Sequence, residues 1–169
     1  VNTLVIDSEG AITGRNTDAF GFLENLRRGA PGWQPAAGPA VVIGAGGAAR
    51  AVVAALVEAG VPELRLINRN VARAEQLATA LGGPIQIGEW EHRAAALEGA
   101  ALLVNTTSLG MKGQPPLDLD LAALPGQAVV NDIVYVPLET PLLAAAAWAA
   151  VGTSIRPGQT KNNARSPSG

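Results

Sequence analysis

Val41-Val42-Ile43-Gly44-Ala45-Gly46-Gly47-Ala48-Ala49-Arg50 constrains this chain more than any other stretch. A short apolar run breaks into glycines and reopens as an alanine-rich segment, which is the order strand, tight turn, helix. Gly44 permits the turn, and Gly46 has no Cβ to keep a pyrophosphate from the backbone. Ala49 stands where the third small residue of the dinucleotide fingerprint belongs, so the helix can pack closely on the sheet. Ala45, Gly47 and Ala48 complete the loop, and the first helical amides point at the phosphates with the helix dipole behind them. A lone glycine-rich loop is weak evidence, but here the flanking strand and helix are both readable.

The next element bears on cofactor choice. Leu64 to Ile67 reads as the second strand, followed by Asn68-Arg69-Asn70. Units that bind NAD place an acid at this strand end, where it bonds the ribose 2′-hydroxyl. No acid stands here; Asn68, Arg69, Asn70 and, one helical turn on, Arg73 stand there instead. A guanidinium pairs with a phosphate through a planar fork of donors, so the pattern points to NADP. The plain alternative is a basic surface loop capping a helix.

Composition narrows the function classes. The chain has 169 residues and no cysteine, which excludes disulfides and thiolate chemistry. Its single histidine, His92, lies in a polar stretch, and no metal-ligand spacing is present, so no metal is expected. A net charge of −2 without charged blocks speaks against nucleic acid or a membrane surface as partner. With no long apolar run and no signal peptide, a cytoplasmic location is expected.

Strand candidates at Thr3 to Ile6 and Ala11 to Thr13 flank a turn cluster, Asp7-Ser8-Glu9-Gly10. Phe20, Phe22, Leu23 and Leu26 recur at helical spacing behind Asn16-Thr17-Asp18, with Thr17 or Asp18 as N-cap. Gly29 to Pro39 holds three prolines and three glycines and reads as a linker. The division expected is a hinge segment with its connecting helix at 1–30, a linker at 31–39, a cofactor domain at 40–152, and a tail at 153–169 without regular structure. Within the cofactor domain, helices are expected from Gly47 to Ala59, Val71 to Leu81, Glu89 to Glu98 and Thr140 to Ala150. Further strands are expected at Pro84 to Ile87, Ala101 to Val104 and Ala128 to Ile133. Alternation of strand and helix makes this an α/β protein, a Rossmann-type doubly wound parallel sheet. The strand exits then share one edge, gathering Gly44 to Gly47, Asn68 to Arg73, Thr106 to Ser108 and Ile133 to Tyr135 around one crevice.

Taken together, Asn2-Thr3, Asn16-Thr17-Asp18-Ala19-Phe20-Gly21, the glycine turn, Asn68-Arg69-Asn70-Val71-Ala72-Arg73, Asn105-Thr106-Thr107-Ser108-Leu109-Gly110 and Asp132-Ile133-Val134-Tyr135 with Thr140-Pro141-Leu142 resemble the motifs of the shikimate dehydrogenases. The resemblance runs from Val1 to about Gly152. It implies NADP-dependent interconversion of 3-dehydroshikimate and shikimate, in aromatic amino-acid biosynthesis. It implies that Asn2 and Asp18 bond substrate hydroxyls, that Asp18 is half of a catalytic Lys–Asp pair, and that Tyr135 lies beside the substrate. It further implies that Ile133 packs near the nicotinamide and that Thr107 and Ser108 line the cofactor's path. The family's lysine belongs to an N-terminal substrate domain with no counterpart here; Lys112 and Lys161 are the only lysines, and neither lies in a matching motif. Thr153 to Gly169 does not match the family's closing segment. The resemblance therefore implies a fragment, inactive alone. A non-catalytic NADP-binding module and a quinate dehydrogenase remain as rival readings.

Overall fold

A computed structural model of the protein describes residues 3–6, 10–15, 17–148 and 154–155. The elements in chain order are β1 (Thr3–Ile6), β2 (Ile12–Arg15), α1 (Asp18–Gly29), β3 (Ala40–Ile43), α2 (Gly47–Glu58), β4 (Leu64–Ile67), α3 (Val71–Leu81), β5 (Ile85–Gly88), β6 (Leu102–Asn105), β7 (Val129–Asp132), α4 (Pro141–Trp148) and β8 (Ser154–Ile155). β1 and β2 pair antiparallel as a separate two-stranded ribbon. The other six strands form one sheet in the order β5-β4-β3-β6-β7-β8, and every pair in it is parallel. Counted from β3, that is the order 3-2-1-4-5-6, with the reversal between β3 and β6.

The central strands are buried on both faces, which is why they read as unbroken apolar runs rather than alternating ones. The alternation appears in where each side chain goes. Ala40 and Val42 of β3, Leu64 and Leu66 of β4, and Leu102 and Val104 of β6 join a core with Leu26, Val52, Val53, Leu56, Ala74 and Leu77 from α1, α2 and α3. Val41, Ile43, Ile67 and Leu103 turn to the other face and meet Leu97, Leu117, Leu121, Leu142, Leu143 and Ala146. Both faces are covered, so the sheet is doubly wound as expected.

The differences from the sequence reading have physical causes. Glu89 to Glu98 is not an α-helix but two 3₁₀ turns, Trp90–His92 and Ala95–Leu97. The turns are closed by i→i−3 bonds, His92 N to Glu89 O, Arg93 N to Trp90 O, Leu97 N to Ala94 O and Glu98 N to Ala95 O, and Arg65 Nη1 donates to Ala96 O and Glu98 O at the end of the segment. The 31–39 stretch is not free of the body. Trp33 packs against the core, Ala30 is buried in it, and Pro35–Ala37 forms a 3₁₀ turn. Within 153–169, Ser154 and Ile155 pair with Val130 and Asn131 of β7, so these two residues are a strand rather than structureless tail. Strand ends shift by one or two residues: β2 runs to Arg15, β5 starts at Ile85, and β7 stops at Asp132. α3 has the expected bounds, and Gly60, at φ 84°, follows α2 as the left-handed residue past the helix end.

Candidate functional site

The carboxyl ends of the parallel strands are laced together across the switch point. Gly44 N donates to Ile67 O at 2.8 Å, Thr106 N donates to Ile43 O at 2.8 Å, and Ile133 N donates to Asn105 O at 3.1 Å. Gly44 sits at φ 111°, and a Cβ built there would lie 2.6 Å from Thr106 Oγ1. That hydroxyl itself donates to Ile43 O at 2.8 Å. Glycine is therefore needed twice at this position, for its backbone angle and for the close approach of the β6 exit. Gly46 is different. It is the N-cap of α2, with extended backbone, and a Cβ there would meet no protein atom within 4 Å. The missing side chain keeps open a space that the protein does not itself fill. Ala49, three residues on, is fully buried, so the head of α2 lies tight on the sheet.

Beside that turn is a small cavity of about 210 Å³ lined by Ala45, Gly46, Gly47, Arg50, Arg73, Gln76 and Leu77. Two guanidinium-bearing residues thus share a concavity with the amides of a helix start, an arrangement whose chemistry is anion binding. Arg73 was expected there. Arg50 was not assigned a role from sequence, although it closes the glycine motif and falls on the first turn of α2. Ala48 is exposed next to the turn and borders the larger cavity described below.

The β4 exit divides its labour. Asn70 Oδ1 accepts from Arg73 N at 3.1 Å and caps α3, while Asn68 Nδ2 donates to Asn70 O at 2.8 Å. The two asparagines thus shape the turn, as the helix-capping alternative expected of this loop. Arg69 is exposed, and its guanidinium lies over the ring of Trp90, 4.7 Å from the centroid.

Two further cavities meet at Ile133. One, of about 230 Å³, is lined by Thr106, Thr107, Ser108, Met111, Ile133, Val134 and Tyr135. The other, of about 550 Å³, is formed by Thr17, Asp18, Gly21, Phe22 and Asn25 of the α1 region with Ala48, Ala51, Val52, Asn131 and Ile133. Asp18 is exposed at this edge, and Tyr135, the only tyrosine, is 65% exposed and not a core residue. Thr17 stands at the N-cap of α1 without a side-chain capping bond, and Gly21 N donates to its carbonyl at 2.8 Å. Ser108 is exposed. Thr107 spends its hydroxyl on the turn, donating to Asn105 Oδ1 at 2.8 Å and accepting from Leu109 N at 3.0 Å. Asn2 lies outside the described residues. Among the described residues no group of three or more His, Asp or Glu stands together as a metal site.

Behind these cavities a fully buried carboxylate ties three elements together. Asp132 Oδ1 accepts from Asn105 Nδ2 at 3.0 Å and from Val134 N at 3.0 Å, and Oδ2 accepts from the Thr140 hydroxyl at 2.7 Å. Thr140 in turn caps α4, accepting from Leu143 N at 3.3 Å. Burial pushes the Asp132 carboxyl above its usual 3.8, and the donors of Thr140, Val134 and Asn105 pull it back only in part. Sequence reading passed over Asp132 because its burial and its partner 27 positions away are not visible in a linear pattern.

A parallel sheet in the 3-2-1-4-5-6 order, with a glycine turn, a helix start and two arginines at its switch point, defines a Rossmann-type dinucleotide-binding domain. Residues 35–110 match the family model described as shikimate / quinate 5-dehydrogenase. The chain is 68% identical over 146 residues to shikimate dehydrogenase (NADP(+)) of Paramagnetospirillum magneticum, an alignment covering 86% of this chain and 53% of the relative. Among solved structures, quinate dehydrogenase from Corynebacterium glutamicum in complex with NAD superposes at TM-score 0.83 with 33% identity, covering 95% of this chain and 57% of that one. Shikimate 5-dehydrogenase from Thermus thermophilus in complex with NADP(H) and shikimate superposes at TM-score 0.73 with 39% identity, covering 92% and 55%. Over the 86% of its length that aligns, the chain is similar to the shikimate dehydrogenases. It spans about half the length of the curated relatives it matches.

Proposed function

We propose that this chain is the cofactor-binding part of an NADP-dependent shikimate dehydrogenase, an oxidoreductase that interconverts 3-dehydroshikimate and shikimate. The observation that carries the reading is the basic pocket at the glycine turn, with Arg50 and Arg73 lining it and no carboxylate at the end of β4. The space left beside Gly46, with Arg50 next to it, fits a pyrophosphate, and Arg73 together with Arg69 fits the additional 2′-phosphate of NADP. When bound, NADP(H) supplies or accepts the hydride.

The chain's own residues do the rest. Gly44, Ala45, Gly46, Gly47 and Ala48 form the diphosphate turn. Asn68 and Asn70 hold the β4 exit in shape, and Arg69 and Arg73 pair with the 2′-phosphate. Thr107 and Ser108 line the path to the reacting end, where Ile133 packs against the nicotinamide. Asn2, Asp18 and Tyr135 face the substrate. Asp18 holds the ammonium of a lysine from the half of the enzyme that this chain does not span. That lysine would serve as general acid at the carbonyl oxygen, and as general base in the reverse direction. Residues 1–30 serve as the hinge to that other half, and 40–152 as the cofactor domain.

A quinate dehydrogenase is the second reading, favoured by the match to the Corynebacterium structure. One assay tests both. The chain is paired with the separately expressed portion of the Paramagnetospirillum relative that it does not span, and NADPH formation is followed with shikimate or quinate. Turnover of shikimate by the pair, and not by either part, is the expected result. General acid–base help is worth about 10²–10⁴-fold, and positioning by a second domain at least as much, so the lone chain should be inert. Turnover of quinate in preference moves the assignment to the second reading. Robust turnover by the lone chain contradicts the division of labour.

A further inference from the structure

The crossover between β5 and β6 carries a group that the function so far leaves unused. Two guanidiniums contact the ring of Trp90, with Arg69 Cζ 4.7 Å and Arg93 Cζ 4.9 Å from its centroid. The two arginines are held very differently. Arg93 is anchored: its Nε donates to Asp118 O at 2.8 Å, its Nη1 to Trp90 O at 2.9 Å, and its Nη2 to Asp118 Oδ2 at 3.3 Å. Trp90 is half-buried and packs on the core formed by Ile67, Leu97 and Leu103. Arg69 is exposed at the end of β4, and among the described residues the ring contact is the one interaction of its side chain.

We propose that Trp90 is a positioning residue for Arg69, and that it thereby sets the preference for a dinucleotide bearing a 2′-phosphate. The inference rests on the reading that Arg69 pairs with that phosphate. A free arginine side chain samples many rotamers, and binding must select one of them. A half-buried ring packed on the core, which also carries the anchored Arg93, offers Arg69 a flat surface and leaves the N–H edge of the fork open. The cost of ordering Arg69 is then met in the fold before any ligand arrives. The two 3₁₀ turns acquire a reason as well: a turn at Trp90–His92 delivers the indole to the β4 exit, where the expected continuous helix was not formed.

The test is a calorimetric double-mutant cycle on the full chain, with NADP⁺, NAD⁺ and adenosine 2′,5′-bisphosphate as ligands. Trp90→Leu should weaken NADP⁺ and the bisphosphate about three- to fivefold, the range of an exposed cation–π contact, and leave NAD⁺ unchanged. Trp90→Phe should restore most of the loss. In an Arg69→Ala background, Trp90→Leu should add nothing. Equal weakening of NADP⁺ and NAD⁺, or a loss that persists without Arg69, would overturn the proposal. If Arg69→Ala lowers the NADP⁺ preference while Trp90→Leu does not, the role of Arg69 stands and that of Trp90 fails. If Arg69→Ala itself changes nothing, the reading beneath both fails. Fluorescence covers the case in which Trp90→Leu does not fold. The bisphosphate should change wild-type tryptophan emission, adenosine 5′-monophosphate should not, and the change should vanish in Trp90→Phe. A change retained in Trp90→Phe counts against the proposal.

Discussion

Gly44 and Gly46 stand two positions apart and fail differently when substituted. At Gly44 any side chain meets Thr106 Oγ1 and strains a backbone at φ 111°, so substitution damages the fold. At Gly46 a side chain meets no protein atom, so Gly46→Val should leave thermal unfolding within a few degrees of wild type and abolish dinucleotide binding by filling the pyrophosphate's space. Fluorescence titration with NADPH checks this; normal binding by Gly46→Val would mean that the phosphates lie elsewhere. Both glycines were legible in the sequence because the motif marks one position for its turn and the other for its missing side chain. Arg50 was in plain view and passed over, since an arginine on a helix's first turn reads as solvated until the fold brings α3 and Arg73 beside it. Tyr135 was placed by resemblance alone; its exposure in the structure is what separates a cleft residue from a core one.

Elements are held at the site by polar ties that run between strand exits. Asp132 joins the ends of β6 and β7 to the cap of α4. Asp132→Ala leaves the Asn105 amide, the Val134 N–H and the Thr140 hydroxyl without their acceptor and should cost about 2–4 kcal/mol in denaturant unfolding. Asp132→Asn keeps an acceptor oxygen and offers Thr140 a donor, so its cost should stay below about 1 kcal/mol. The pH dependence has a definite sign. The folded-state carboxyl titrates above 3.8, so the native protein binds more protons than the unfolded chain between 3.8 and that higher value. The contribution of Asp132 to stability is therefore full below 3.8 and is lost as pH rises through the folded-state value. The stability of wild type relative to Asp132→Asn should fall with rising pH over that window and then level off. A difference that rises with pH would show that the hydrogen bonds outweigh burial. At this scale the regular elements were legible from apolar periodicity, and α3 to its ends. The crossover at 89–98 was not, because its two 3₁₀ turns are bonded to residues distant in sequence, Arg65 at Ala96 O and Glu98 O and Asp118 at Arg93, which no local pattern displays.

For the whole molecule, the doubly wound sheet was legible because alternating strand and helix leaves few other topologies. The relation of α1 to the sheet was not. Leu26 and Ala30 are buried in the same core as α2, so the helix that carries Asp18 is fixed to the cofactor-binding body. Its carboxylate-bearing end therefore shares a wall with Ile133. Among the described residues no helix is long and apolar enough to cross a membrane. The central claim is that the sheet edge selects a dinucleotide by its 2′-phosphate, and calorimetric titration of the chain with NADP⁺ and NAD⁺ measures it directly. Each charge-assisted contact is worth about 1.5–3 kcal/mol, so NADP⁺ should bind at least about tenfold more tightly, and Arg73→Ala should erase most of that difference without weakening NAD⁺. Equal affinities for the two cofactors, or a preference that survives the loss of Arg73 and Arg69 together, would contradict the account.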